Sequence, residues 1–116
     1  MEFIAKGRYL RVAPRKMQAV ATLIRGKNIN TAFNILAVTK KRSCYFIEQV
    51  LKSAVANSKD SGQHPDNKVD EDKLYVKEIY VGEGPSIKRW LPRAMGRATM
   101  VKKRMSHVTI KLEEKK

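Results

Sequence analysis

Apolar residues recur along this chain with two different spacings, and the change from one to the other marks out its elements. Phe3 to Val12 mixes Ile4, Tyr9, Leu10 and Val12 with Lys6, Arg8 and Arg11, which reads as a strand ended by Pro14. A helix is predicted from Pro14, where a missing N–H is not needed. Met17, Val20, Ala21 and Ile24 then fall at the i, i+3, i+4, i+7 spacing of one buried face, and Gly26 supplies the stop. Ala13 stands where a capping Ser or Asp would accept a free backbone N–H, so this helix start is expected to forgo about 1 kcal/mol.

Asn30 is read as the cap of a short second helix carrying Ala32, Phe33, Ile35 and Leu36. From about Lys40 to Ser58 a third helix is predicted, with Cys44, Ile47, Leu51, Ala54 and Val55 as its apolar stripe. Glu48, Gln49 and Lys52 turn away. Asp60 to Asp72 gathers Gly62, Pro65 and five acids into an exposed loop. Leu74-Tyr-Val-Lys-Glu-Ile-Tyr-Val is rich in β-branched and aromatic residues. Ser106-His-Val-Thr-Ile-Lys-Leu alternates, with Val108, Ile110 and Leu112 on one side, so both read as strands. If they pair, the segment between them is a long ribbon or loop, about 13 residues per arm and about 40 Å long at a strand rise of ~3.3 Å.

Charge changes the picture of that segment. Between Glu83 and Glu113 run 29 residues without a carboxylate, carrying Lys88, Arg89, Arg93, Arg97, Lys102, Lys103, Arg104 and Lys111. Pro85, Pro92 and Gly96 interrupt it and no strand alternation is sustained, so it builds no packed core alone and calls for a surrounding polyanion. Over the whole chain, 25 Lys and Arg against 11 Asp and Glu leave +14 on 116 residues, the footprint of a nucleic-acid binder. Arg89, Arg93 and Arg97 are four apart, but Pro92 argues against a helical stripe. In extended or irregular backbone the same guanidiniums splay toward separate phosphates. Trp90 and Met95 offer surfaces for unpaired bases, against the alternative that Trp90 packs on the body.

Other chemistry is thin. Cys44, the single cysteine, excludes an internal disulfide and a cysteine metal cluster, and on an apolar helix stripe it reads as a buried structural thiol. His64 and His107 form no metal-ligand spacing, and no phosphate loop ends in Gly-Lys-Ser/Thr, so no cofactor, metal or catalytic residue is expected. No run of 18 apolar residues occurs and the N-terminus has no signal-peptide pattern, so a chain mature from Met1, soluble and without a membrane partner, is expected. At this length one domain is expected over 1–116, with a body of 1–81 and 107–116 and an extended hairpin of 82–106.

Four stretches carry a resemblance across nearly the whole chain. They are Arg-Tyr-Leu-Arg-Val-Ala-Pro-Arg-Lys-Met (8–17), Leu-Ile-Arg-Gly-Lys (23–27), Ala-Val-Ala-Asn-Ser (54–58) and Gly-Glu-Gly-Pro-Ser-Ile-Lys-Arg-Trp-Leu-Pro-Arg-Ala-Met-Gly-Arg-Ala (82–98). With them the chain resembles the large-ribosomal-subunit protein 22 family of bacterial type. The resemblance implies an α+β fold, three helices packed on a three-stranded antiparallel sheet, with a long protruding basic β-hairpin. It further implies a structural, non-enzymatic protein of the cytoplasmic ribosome. Its partners would be 23S-type large-subunit rRNA, neighbouring large-subunit proteins and the nascent peptide, with no homo-oligomer.

By the same resemblance Arg8, Arg11, Arg15, Lys16, Arg25 and Lys27 anchor the body to rRNA, while Lys88, Arg89, Trp90, Arg93, Arg97, Lys102, Lys103 and Arg104 serve the hairpin. Arg93, Ala94, Met95, Gly96 and Arg97 would form its tip at the wall of the peptide exit tunnel, near the site of macrolide antibiotics. Two positions depart from the family pattern, Ala13 in place of Ser and Met95 in place of Lys, and the second makes the tip less cationic. The main rival is a winged-helix DNA regulator, which shares the order of three helices and a basic hairpin. A major-groove reader should carry its basic side chains along the recognition helix, whereas here Lys40, Lys41 and Arg42 cluster at the start of the third helix.

Overall fold

The computed structural model describes residues 2–61 and 71–114, so the predicted acidic loop and His64 lie almost wholly outside the described residues. Strands β1 (Glu2–Leu10), β2 (Leu74–Glu83) and β5 (Ser106–Glu114) form an antiparallel sheet in the order β1-β5-β2. The last strand made is therefore the central one. Its alternation is regular, with Val108, Ile110 and Leu112 fully buried against the helices. β2 contributes Leu74, Val76 and Ile79 to the same face, which breaks the two-residue period. The ladder accommodates the break. Val76 pairs with Leu112 and Glu78 with Lys111, leaving Lys77 as the extra residue of a bulge. Without that bulge Ile79 would point to solvent, since a slip of one residue reverses every side chain beyond it.

Helix α1 (Pro14–Ile24) starts and stops as its sequence predicts. Ala13 makes no side-chain cap, Met17, Val20, Ala21 and Ile24 are buried, and Gly26 takes a left-handed φ of 77°. Beyond the helix the chain is stitched to β2. The Gly26 N–H donates to the Val76 carbonyl at 2.9 Å and the Val76 N–H to the Lys27 carbonyl at 2.9 Å, which covers that edge of the sheet. Helix α2 (Ile29–Val38) corrects the predicted cap. Asn28, in extended backbone, accepts the Asn30 N–H on its side chain at 2.9 Å, while Asn30 lies inside the first turn.

Helix α3 (Arg42–Ser61) begins about two residues later than predicted and runs three further. It buries Cys44, Ile47, Leu51 and Ala54 together with Val50. The helix crosses β1 at Gly7, where a methyl group would lie 2.5 Å from Val50 Cγ2, so the absence of a side chain sets the approach.

The segment between β2 and β5 is a ribbon. Strands β3 (Ile87–Pro92) and β4 (Ala98–Lys103) pair from Ile87 with Lys103 to Pro92 with Ala98, and the Gly84 N–H donates to the Met105 carbonyl at 2.9 Å to hold the root. Pro92 fits because it closes the strand, where a missing donor breaks no ladder. The ribbon makes the molecule long. It measures 69 × 25 × 16 Å with a radius of gyration of 17.6 Å, against about 13 Å for a compact chain of this length.

Candidate nucleic-acid interface

Directly opposed residues of an antiparallel pair share a face, so the β3–β4 register sorts the hairpin's side chains. Lys88 faces Lys102 and Trp90 faces Met100 on one side; Ile87 faces Lys103 and Arg89 faces Val101 on the other. A lysine opposite a lysine is destabilising in a free ribbon, and no acid interrupts the segment to offset it. Trp90 is 65% exposed beside a half-exposed Met100, so the alternative of Trp90 packed on the body does not hold. Together they form an apolar step between the lysine pair and the tip.

At the tip the Arg93 N–H donates to the Arg97 carbonyl at 2.6 Å, closing a loop of the five predicted tip residues. Met95 and Gly96 both adopt left-handed backbone, at φ 65° and 74°. For Met95 this costs about 1–2 kcal/mol, and it is 95% exposed.

On the body, a groove of about 570 Å³ lies between the starts of α1 and α3, lined by Arg11, Arg15, Lys16, Lys41 and Arg42 around Val12, Ala13, Ala19 and Ser43. Neither helix has an acidic residue in its first turn, so the positive end of each helix dipole adds to the same field. A second depression, about 270 Å³, is lined by Arg11, Arg42, Arg89, Lys103 and Arg104 with Ile87 and Met105. Arg11 and Arg42 belong to both. The body cations therefore run without a gap into the root of the hairpin.

Lys41 and Arg42 were not among the sequence-predicted contacts, although their position at a helix start beside Pro14-led α1 was the signal available. The remaining predicted body residues lie elsewhere. Arg25 donates from Nη2 to the Ile79 carbonyl at 2.9 Å, bracing the edge of β2. Lys27 is exposed on the stitch between α1 and α2. Arg8 lines a recess with Lys6, Tyr9 and His107.

On the outer face of the sheet, the cations of β2 and β5 are paired with acids. Lys77 pairs with Glu2 and, at 3.2 Å, with Glu113, while Lys111 pairs with Glu78 at 3.5 Å. The Tyr75 hydroxyl donates to Glu113 at 3.2 Å and the Tyr80 hydroxyl to Glu78 at 2.6 Å. The hydrogen bond from Lys77 holds the Glu113 carboxyl below the usual range, and the Tyr80 hydroxyl does the same for Glu78. Those two lysines are matched by acids. Positive charge without such a match lines the groove, the ribbon and the recess of Lys6 and Arg8.

A continuous cationic strip thus leads from the body onto the basic ribbon of a 69 Å molecule. The profile of the ribosomal protein L22p/L17e family matches residues 5–113. The chain belongs to that family. Among relatives, the large ribosomal subunit protein uL22 of Thermus thermophilus is 51% identical over 115 residues, covering 99% of this chain and 97% of its own. The uL22 of Syntrophus aciditrophicus is 50% identical, covering 99% and 100%, and that of Myxococcus xanthus 49% identical, covering 100% and 99%. Membership makes the chain a structural constituent of the large ribosomal subunit, of bacterial type, in the cytoplasmic ribosome, and not an enzyme. The winged-helix alternative falls with it.

Proposed function

We propose that this L22p/L17e-family protein binds 23S-type rRNA with two linked surfaces and thereby ties separate RNA segments together as the subunit assembles. Arg11, Arg15, Lys16, Lys41 and Arg42 hold phosphates at the body groove, and Lys88, Arg89, Arg93, Arg97, Lys102, Lys103 and Arg104 hold them along the hairpin. Arginine forks suit this role because each meets a phosphate with two parallel hydrogen bonds. The observation that carries the reading is the ribbon: from Lys88 to Met100 no described side chain is buried, and like charges face each other across it. Its order in the particle then comes from surrounding nucleotides.

The tip, Arg93 to Arg97, reaches the wall of the exit tunnel and faces the nascent peptide, with Met95 presenting a thioether where a lysine would present a charge. Arg8, Arg25 and Lys27 extend the contact around the body. The protein acts as one folding unit of residues 1–116, a single copy beside neighbouring large-subunit proteins. If six to eight hairpin charges meet phosphates, log affinity for large-subunit rRNA falls against log salt with a slope of roughly −4 to −7. A slope near −1 would defeat the reading. Deleting 86–104 should leave a folded body that no longer travels with large subunits through a sucrose gradient; undiminished incorporation would equally defeat it, and preference for duplex DNA over rRNA in competition would revive the regulator.

A further inference from the structure

Tyr9 is accounted for neither by the core nor by the cationic strip. The pairing of β1 with β5 breaks between Gly7 and Leu10, and within that break Tyr9 takes a φ of 57°, a conformation bulky side chains rarely adopt. Two contacts with one residue hold it there. The Tyr9 N–H donates to His107 Nδ1 at 3.1 Å, and the two rings meet edge to face with centroids 5.0 Å apart. Bulges re-aim side chains, and this one turns the Tyr9 ring outward, leaving the residue 61% exposed.

Beside it lies a recess of about 280 Å³ lined by Lys6, Arg8, Tyr9, His107 and Thr109 with Gly7 and Val108, and by no carboxylate among the described residues. Because His107 Nδ1 accepts the Tyr9 N–H, the neutral imidazole carries its proton on Nε2, where it donates. An aromatic face, an N–H donor, a hydroxyl and two cations in one place match an unpaired nucleobase and its phosphates. A base stacked on both sides within a helix offers no free face.

We infer that this bulge is a separate RNA contact, in which Tyr9 stacks on an unpaired base of large-subunit rRNA while Arg8 and Lys6 meet the adjoining phosphates. The inference rests on the rRNA-binding reading above, and salt dependence separates the two. Stacking displaces no counterions, so it changes affinity without changing the salt slope. Full-length Tyr9→Ala and Tyr9→Leu proteins would be titrated with deproteinised large-subunit rRNA from 50 to 300 mM salt, beside Tyr9→Phe and Arg8→Gln; Leu keeps the bulk of the side chain and guards against a fold defect in Ala. The expected result is about a 5- to 100-fold loss for Ala and Leu at every salt concentration with the slope unchanged, near-parental binding for Phe, and for Arg8→Gln a slope shallower by about 0.7–0.9. Parental affinity in both Ala and Leu overturns the inference and leaves the wider reading intact. A parent protein that shows no preference for this RNA overturns both.

Discussion

Gly7 and Gly26 lack side chains for different reasons, and substitution separates them. A methyl at Gly7 meets Val50 Cγ2 at 2.5 Å, whereas none of the described residues lies within 4 Å of one at Gly26, where the φ of 77° is at stake. Gly7→Ala should therefore destabilise the body by about 1–3 kcal/mol through overpacking. Gly26→Ala should cost about 1–2 kcal/mol through backbone strain. Urea midpoints measure both, and Val50→Ala should recover part of the first loss and none of the second, a coupling that a double-mutant cycle reads directly. Gly26 was legible in the sequence because a stop signal is local. Gly7 was not, since its role depends on the path of α3, which brings Val50 against it. The misplaced cap has the same kind of cause: Asn28 and Asn30 are chemically identical, and only backbone geometry decides which accepts.

Among the elements, β2 shows what periodicity conveys and what it hides. Its composition announces a strand, but the step from Val76 to Ile79 needs a bulge that composition does not encode, and the bulge is what turns Ile79 to the core and Glu78 outward to Lys111. The Glu113 and Glu78 carboxyls titrate lower in the fold than in the unfolded chain. Such groups add stability above their unfolded pKa and lose it as pH falls through the folded one. Lys77 is raised, first by its hydrogen bond to Glu2, so its contribution persists at neutral pH and disappears only above the usual lysine range. Urea midpoints should drift down between about pH 6 and pH 3, weakly because the groups are exposed, and Lys77→Gln should flatten that drift. For the hairpin, Lys102→Gln and Arg104→Gln should each weaken rRNA binding for all sequences alike and make the salt slope shallower by about 0.7–0.9, measured by filter binding. Strands β3 and β4 were legible only through their neighbours: their own residues do not alternate, yet β2 and β5 pair and so oblige the chain between them to double back.

For the molecule as a whole, shape is the quantity to test. Small-angle scattering of the free protein should give a radius of gyration near 17.6 Å, and deletion of 86–104 should reduce it to about 12–13 Å, the value for a compact body of that size. An intact protein near 13 Å would mean a hairpin folded back on the body. Net charge and its gap in acids made a polyanion partner legible from the residues, while the ribosome and its tunnel came by resemblance, because no physical pattern in one chain spells out the particle it joins. Charge counting also left Lys41 and Arg42 aside, since their meeting with Arg11 depends on how α1 and α3 are brought together. β5 is synthesised after both of its neighbours and lies between them, so a nascent copy has nothing to bridge β1 and β2 until Ser106 onward has been made. Translation halted before that point would yield no smaller version of the protein, only a cationic polypeptide with its apolar residues open to proteases and chaperones.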